Sequence, residues 1–222
     1  MHYDTESNGH GLRHDPFKAL VAPRPIGWIA TLAPDGTPNL APYSFFNSIA
    51  DKPPMVMFAS SGRKDSLENL ERSGEFTCSL ATWDLREAMN MTSAAVPPDV
   101  DEFRLAGLEA APSRYVKPPR VARSPAALEC RLWKTLQLPA PPAHPHSGYW
   151  LVLGTVVGIY IDDAAIRDGR FDTAAVRPLA RMGYMDYAVV TPETTFEMKR
   201  PQVADDGRSV VVDTGAWDGV YR

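Results

Sequence analysis

The chain has 222 residues, 44% of them apolar, with a formal net charge of −4 and two cysteines. That is enough apolar material for a real core, and a weakly acidic balance offers no general surface for nucleic acid or an anionic membrane. No run approaches the roughly 18 apolar residues of a membrane span.

In chain order, residues 1–15 (MHYDTESNGHGLRHD) read as a flexible polar arm, neither a secretory signal nor a transit peptide. His10 and His14 stand four apart, but a metal site needs more ligands than this pair. Phe17 to Leu20 is a short helical turn that docks the arm. Ile26 to Leu32 is apolar and β-branched, and Ala33-Pro34-Asp35-Gly36 then supplies turn chemistry. Asn39 to Tyr43 returns as a second strand, and Met55 to Ala59 has the length of a third, buried on both faces. These three strands are expected to build one apolar wall. Between the second and third, Tyr43-Ser44-Phe45-Phe46-Asn47-Ser48 mixes aromatic faces with hydroxyl and amide groups.

Ser60-Ser61-Gly62-Arg63-Lys64 is small, polar and cationic. Asp65 with Glu68 resembles a capping-box start for a helix that Gly74 stops. A strand that leads through hydroxyls and two cations into a helix N-terminus suits a phosphate. It equally describes a solvated loop that happens to contain Arg63 and Lys64.

Farther on, Glu75 to Leu80 alternates like a strand. Asp84 to Glu87 repeats the helix start, with Met89 and Met91 as packing residues. Pro97 to Ser124 is proline-rich and longer than an ordinary connection, which points to an interface or to a cover over a site. Ala127 to Leu138 and Tyr149 to Ile161 are strands. Gly154 and Gly158 mark a bulge or a close approach within the second of these. The tract Ala140 to Ser147 breaks the sheet, and its His144 and His146 read as exposed loop residues. Asp162-Asp163 and Asp168-Gly169-Arg170 read as a solvated, turn-rich surface. Cys78 and Cys130 lie in separate apolar runs and read as reduced core residues of a cytoplasmic protein. The chain lacks a CxxC, a GxGxxG after a strand and a hydrolase-type Ser-His-Asp order.

Several segments, taken together, resemble the flavin reductase-like, FMN-binding split-barrel family, especially its flavoredoxin-type branch. They are Arg24 to Thr31, Ala41 to Asn47, Pro53-Pro54, Arg63 to Ser66, Asp101 to Phe103, Ala106 to Leu108, Pro118 to Val121, Leu128 to Cys130 and Gly154 to Gly158. The resemblance implies a mostly β fold, a β-barrel with short helices, over residues 16–190, working as a homodimer. Residues 191–222 then form an extension that packs on the barrel or on the partner subunit. It also implies that Tyr43, Ser44, Phe45, Phe46, Asn47, Ser48 and Ala59 line FMN, that Ser60, Arg63, Lys64 and Ser66 hold its phosphate, and that Arg181 approaches the site. The family pattern has a second glycine where Tyr184 stands here. By this resemblance the chain is an oxidoreductase in which NADH or NADPH reduces the flavin, which then reduces free flavin or an acceptor protein. The alternatives are an FMN-binding electron carrier without efficient nicotinamide turnover, and a split-barrel module holding another ligand such as a tetrapyrrole. No metal is expected.

Overall fold

The computed structural model describes residues 1–140, 148–215 and 217–219, so His144 and His146 lie outside the described residues. Met1–Val190 and Thr191–Arg222 form two units. The first carries helices α1 (Phe17–Leu20), α2 (Asp65–Ser73), α3 (Arg86–Met91) and α4 (Glu102–Leu105). Its strands begin with β1 (Arg24–Pro25), β2 (Gly27–Leu32), β3 (Pro38–Tyr43), β4 (Phe46–Asp51), β5 (Pro54–Ser61) and β6 (Glu75–Leu80). The short strands β7 (Ala110–Ala111) and β8 (Arg120–Val121) precede two long ones, β9 (Ala126–Gln137) and β10 (Tyr149–Ile161). The hairpin of β11 (Ile166–Arg167) and β12 (Arg170–Phe171) turns at Asp168-Gly169, both at positive φ, as the turn chemistry predicts. Strands β13 (Leu179–Arg181) and β14 (Tyr187–Val189) close the list. In the second unit β15 (Gln202–Val203) pairs with β16 (Val210–Val211) around a turn that Asp206 ties through the amides of Arg208 and Ser209.

The main sheet is antiparallel, in the order β3-β2-β6-β9-β10-β5-β4. Beside it stands a small sheet, β1-β13-β14. The first and third strands expected in one wall therefore lie apart in the ladder, because β6, β9 and β10 intervene. The ladder does not close by strand pairing. It curls until its two sides approach: the Tyr43 ring on β3 lies 4.7 Å from that of Phe58 on β5.

Strand β2 is buried on both faces, so its period-two alternation feeds two cores. Ile29 packs with Phe58, Leu67, Leu70, Phe76 and Val152. Trp28 and Ala30 face Leu40, Leu85, Met89, Phe103 and Val121. Burying a side chain as fully as Phe58 contributes on the order of 2–3 kcal/mol. Glycine 154 sits at a register shift between β10 and β9, and a Cβ there would lie 2.4 Å from the Phe76 ring. The close approach and the bulge are both present.

The long Pro97–Ser124 connection is pinned along β6 and β9. Glu129 accepts the amides of Arg114 and Tyr115, Glu75 accepts that of Lys117, and Thr77 Oγ1 donates to the Pro119 carbonyl at 2.7 Å. Phe103 and Val121 from this connection fill the second core. Among the described residues no helix is long and apolar enough to cross a membrane.

Candidate functional site

Where the two sides of the ladder approach, an open cleft of about 1260 Å³ is lined by β3, the β3–β4 connection, β5, the start of α2 and the β13–β14 turn. Of the residues expected at a site, Tyr43, Ser44, Phe45, Ala59, Arg63, Lys64, Ser66 and Arg181 line it together. Phe46, Asn47 and Ser48 do not, because the chain has by then entered the edge strand β4. There Phe46 packs over Gly27, while Asn47 and Ser48 face outward. Ser60 is fully buried beside the cleft, its Oγ donating to the Gly62 carbonyl at 3.0 Å.

One end of the cleft is built for an anion. Gly62 at φ +76° turns the chain from β5 toward α2. Lys64 is extended (φ −103°, ψ 165°) and takes the N-cap position without a side-chain cap, so Asp65 becomes the first helical residue and the expected capping box does not form. The Leu67 and Glu68 amides both turn back to the Lys64 carbonyl, at 2.9 and 3.0 Å. The first-turn amides ahead of them have no acceptor within the helix. Arg63 is engaged: it pairs with Glu71 at 2.6 Å and Glu68 at 3.7 Å, and lies 5.0 Å over the Trp150 ring. Lys64 makes no ion pair among the described residues and is the free cation of this corner.

The floor beneath it is polar and buried. Ser66 Oγ donates to Asn39 Oδ1 at 2.7 Å. Asn39 Nδ2 donates to Glu102 Oε1 at 2.8 Å, and Glu102 Oε2 accepts the Leu40 amide at 3.0 Å. Burial holds the Glu102 carboxyl above its ordinary value, against the pull of those donors. The Tyr43 hydroxyl is buried with no partner in hydrogen-bond geometry, although Ser66 and Ser60 stand near it. Burial pushes this phenol up. Leaving a buried hydroxyl unsatisfied costs about 1–3 kcal/mol, so a ligand oxygen reaching it would recover that cost.

The other end is aromatic and cationic. The Phe45 and Tyr149 rings lie tilted against each other with centroids 5.7 Å apart, and Tyr184, Met185 and Tyr187 also line this end. The arm reaches it: Arg13, His14 and Asp15 line the cleft, and the His14 ring lies 5.7 Å from that of Tyr184. Tyr184 adopts φ +53°, a left-handed conformation that accounts for the glycine of the family pattern. Several cleft residues escaped the sequence reading as site residues, among them Arg13, His14, Asn39, Tyr149, Tyr184, Tyr187, Arg24 and Glu102. A cation at the mouth of a doubly buried strand was the signal for Arg24. Glu102 left none beyond its place in a shared motif.

Residues 20–180 match the family described as the flavin reductase like domain. An uncharacterized protein of Deinococcus radiodurans is 36% identical over 211 residues, covering 90% of this chain and 89% of its own. The chain belongs to the flavin reductase-like family. Among solved structures, component B of nitrilotriacetate monooxygenase from Bacillus cereus superposes with a TM-score of 0.79 at 26% identity, covering 89% of this chain and 98% of that one. Flavoredoxin of Desulfovibrio vulgaris gives 0.71 at 21%, covering 86% and 95%, a likeness of fold. In this flavin reductase-like chain the matched segment contains the anion corner and the polar floor. Arg181, Tyr184, Met185, Tyr187 and the arm fall outside it. Among the described residues no group of three or more His, Cys, Asp or Glu is placed to hold a metal ion.

Proposed function

We propose that this chain is an FMN-dependent oxidoreductase that takes electrons from NADH or NADPH and passes them to free flavin or to an acceptor protein. The observation that carries the reading is the corner at the start of α2, where an orphaned buried hydroxyl, a free cation and an uncapped helix N-terminus converge. These groups fit a phosphate monoester. Lys64 and the first α2 amides, that of Ser66 among them, would hold the phosphate, the Tyr43 hydroxyl would complete its shell, and Phe45 and Ala59 would pack against the ring. Bound there, FMN supplies hydride acceptance, and the protein need only grip, orient and shield it. No protein acid or base is assigned to the transfer. Family membership and the flavoredoxin fold support the same cofactor.

The working form in this proposal is a cytoplasmic homodimer. Support comes from exposed apolar residues on the two long strands, Trp133, Leu136, Ile159 and Ile161, and from two buried free cysteines. Aerobic purification with an absorption spectrum tests the cofactor, and stopped-flow mixing with NADH and NADPH tests the donor. Saturable FMN binding with fast bleaching by either nucleotide is expected. Slow bleaching by both, with fast reduction by a protein donor, would instead favour the electron-carrier reading.

A further inference from the structure

Arg24 stands directly across from Arg181 in the β1–β13 ladder, and both line the cleft. Like charges at directly opposed positions repel, and neither arginine is ion-paired among the described residues. Arg24 is only 7% exposed. Its guanidinium is fixed by three backbone carbonyls: Lys18 and Val21 accept from Nη1, and Met182 accepts from Nη2 at 2.7 Å. Its Nε is buried without a partner. Carbonyls orient a guanidinium but leave its charge uncompensated, and a buried unpaired charge is costly. Burial first, and then the charge of Arg181, press Arg24 below its ordinary pKa.

Arg181 is the accessible member of the pair. It donates from Nη2 to the Tyr184 carbonyl and lies 4.4 Å over the Tyr187 ring. The Tyr184 carbonyl is delivered from a left-handed residue, a conformation costing on the order of 1–2 kcal/mol in a non-glycine side chain. Strain, like-charge opposition and an orphaned donor thus coincide on one wall, which also carries Phe45 5.9 Å from the Arg24 guanidinium. The acids lining the cleft are Asp15, Asp65 and Glu102. Asp15 accepts the Phe17 amide, and Glu102 belongs to the opposite, polar floor.

We infer that the Arg24–Arg181 pair is a second anion subsite of the cleft, taking the carboxylate of a planar aromatic acid whose ring rests among Phe45, Tyr184 and Tyr187. The Arg181 guanidinium presents the donors that match a carboxylate, while Arg24, whose Nη1 and Nη2 already serve the Lys18, Val21 and Met182 carbonyls, adds its charge behind them, and the surrounding rings supply faces for a flat ligand. The inference rests on the proposed function in that such an acid would lie beside the flavin as its second substrate.

The test is calorimetric titration of the full chain, with and without FMN, using benzoate and its neutral isostere benzamide. The wild type is expected to bind benzoate at least tenfold more tightly than benzamide. Arg181→Gln should abolish that preference and Arg181→Lys should restore part of it. Equal binding of the two probes, binding of neither, or a preference that survives Arg181→Gln would overturn the proposal. So would an Arg181→Gln variant that keeps benzoate binding and loses NADPH affinity, since the pair would then serve the nucleotide's phosphates. A shifted flavin potential with an unchanged benzoate preference would also overturn it. FMN titrated into the same samples keeps the two readings apart: benzoate preference without FMN binding removes the proposed function alone.

Discussion

Asn39 Nδ2 donates to Glu102 Oε1 at 2.8 Å, tying the helix of the long Pro97–Ser124 connection to the strand that floors the cleft. Glu102 also accepts the Leu40 amide, so two buried donors depend on one carboxyl. Glu102→Ala strands both, and should destabilise the protein by about 2–4 kcal/mol in denaturant titrations.

The same carboxyl has a pH signature. Its folded-state pKa is raised above the usual 4.5, chiefly by burial. The folded state therefore holds the proton more tightly than the unfolded chain. This contribution is fully present below the unfolded value and declines as pH rises through the raised folded value. Stability of the wild type relative to Glu102→Gln should fall from pH 4 upward and then level off. A flat difference would show that the carboxyl titrates normally.

Gly154→Ala places a methyl 2.4 Å from the ring of fully buried Phe76, which itself lies 5.7 Å from the Phe58 ring and cannot swing away. A loss of about 1–3 kcal/mol is expected from overpacking. Adding Phe76→Leu should recover part of it, and a double-mutant cycle reads the coupling.

Tyr43→Phe separates stability from binding. It removes a hydroxyl that is buried without a partner, so the ligand-free protein should be as stable as the wild type or more so by about 1 kcal/mol. FMN affinity should nevertheless fall severalfold. Loss of stability together with unchanged FMN affinity would place that hydroxyl outside the phosphate shell.

Trp133→Glu tests the proposed dimer. Trp133 is 62% exposed on the long strand β9, an unusual place for a large ring in a monomer. Sedimentation velocity should report a dimer for the wild type and a shift toward monomer for the variant, with unchanged circular dichroism.

The strands were legible because their alternation and turn residues act locally. Ile26 to Leu32 reads apolar throughout because both of its faces are buried, and Gly74 stops α2 in the left-handed conformation expected of it. Long-range pairing left no such mark. Nothing local reveals that β3 and β5 meet only because the ladder curls, or that the chain leaves the cleft between Phe45 and Phe46. Helix α2 runs from Asp65 to Ser73 as its sequence suggests, but the capping box does not form: Asp65 is a good cap in composition, whereas the extended backbone at Lys64 decides which residue caps. Arg63 and Lys64 looked equivalent in sequence. Glu68 and Glu71, one and two turns along α2, claim Arg63 and leave Lys64 free.

That asymmetry gives the most direct measurement of the central claim, a comparison of FMN and riboflavin binding to the wild type and to Lys64→Ala by fluorescence quenching. The phosphate is the only difference between the two ligands. The corner at α2 predicts that Lys64→Ala weakens FMN by about tenfold, or about 1.4 kcal/mol, and leaves riboflavin unchanged. An equal loss for both ligands, or no loss for FMN, would contradict a phosphate held at the start of α2.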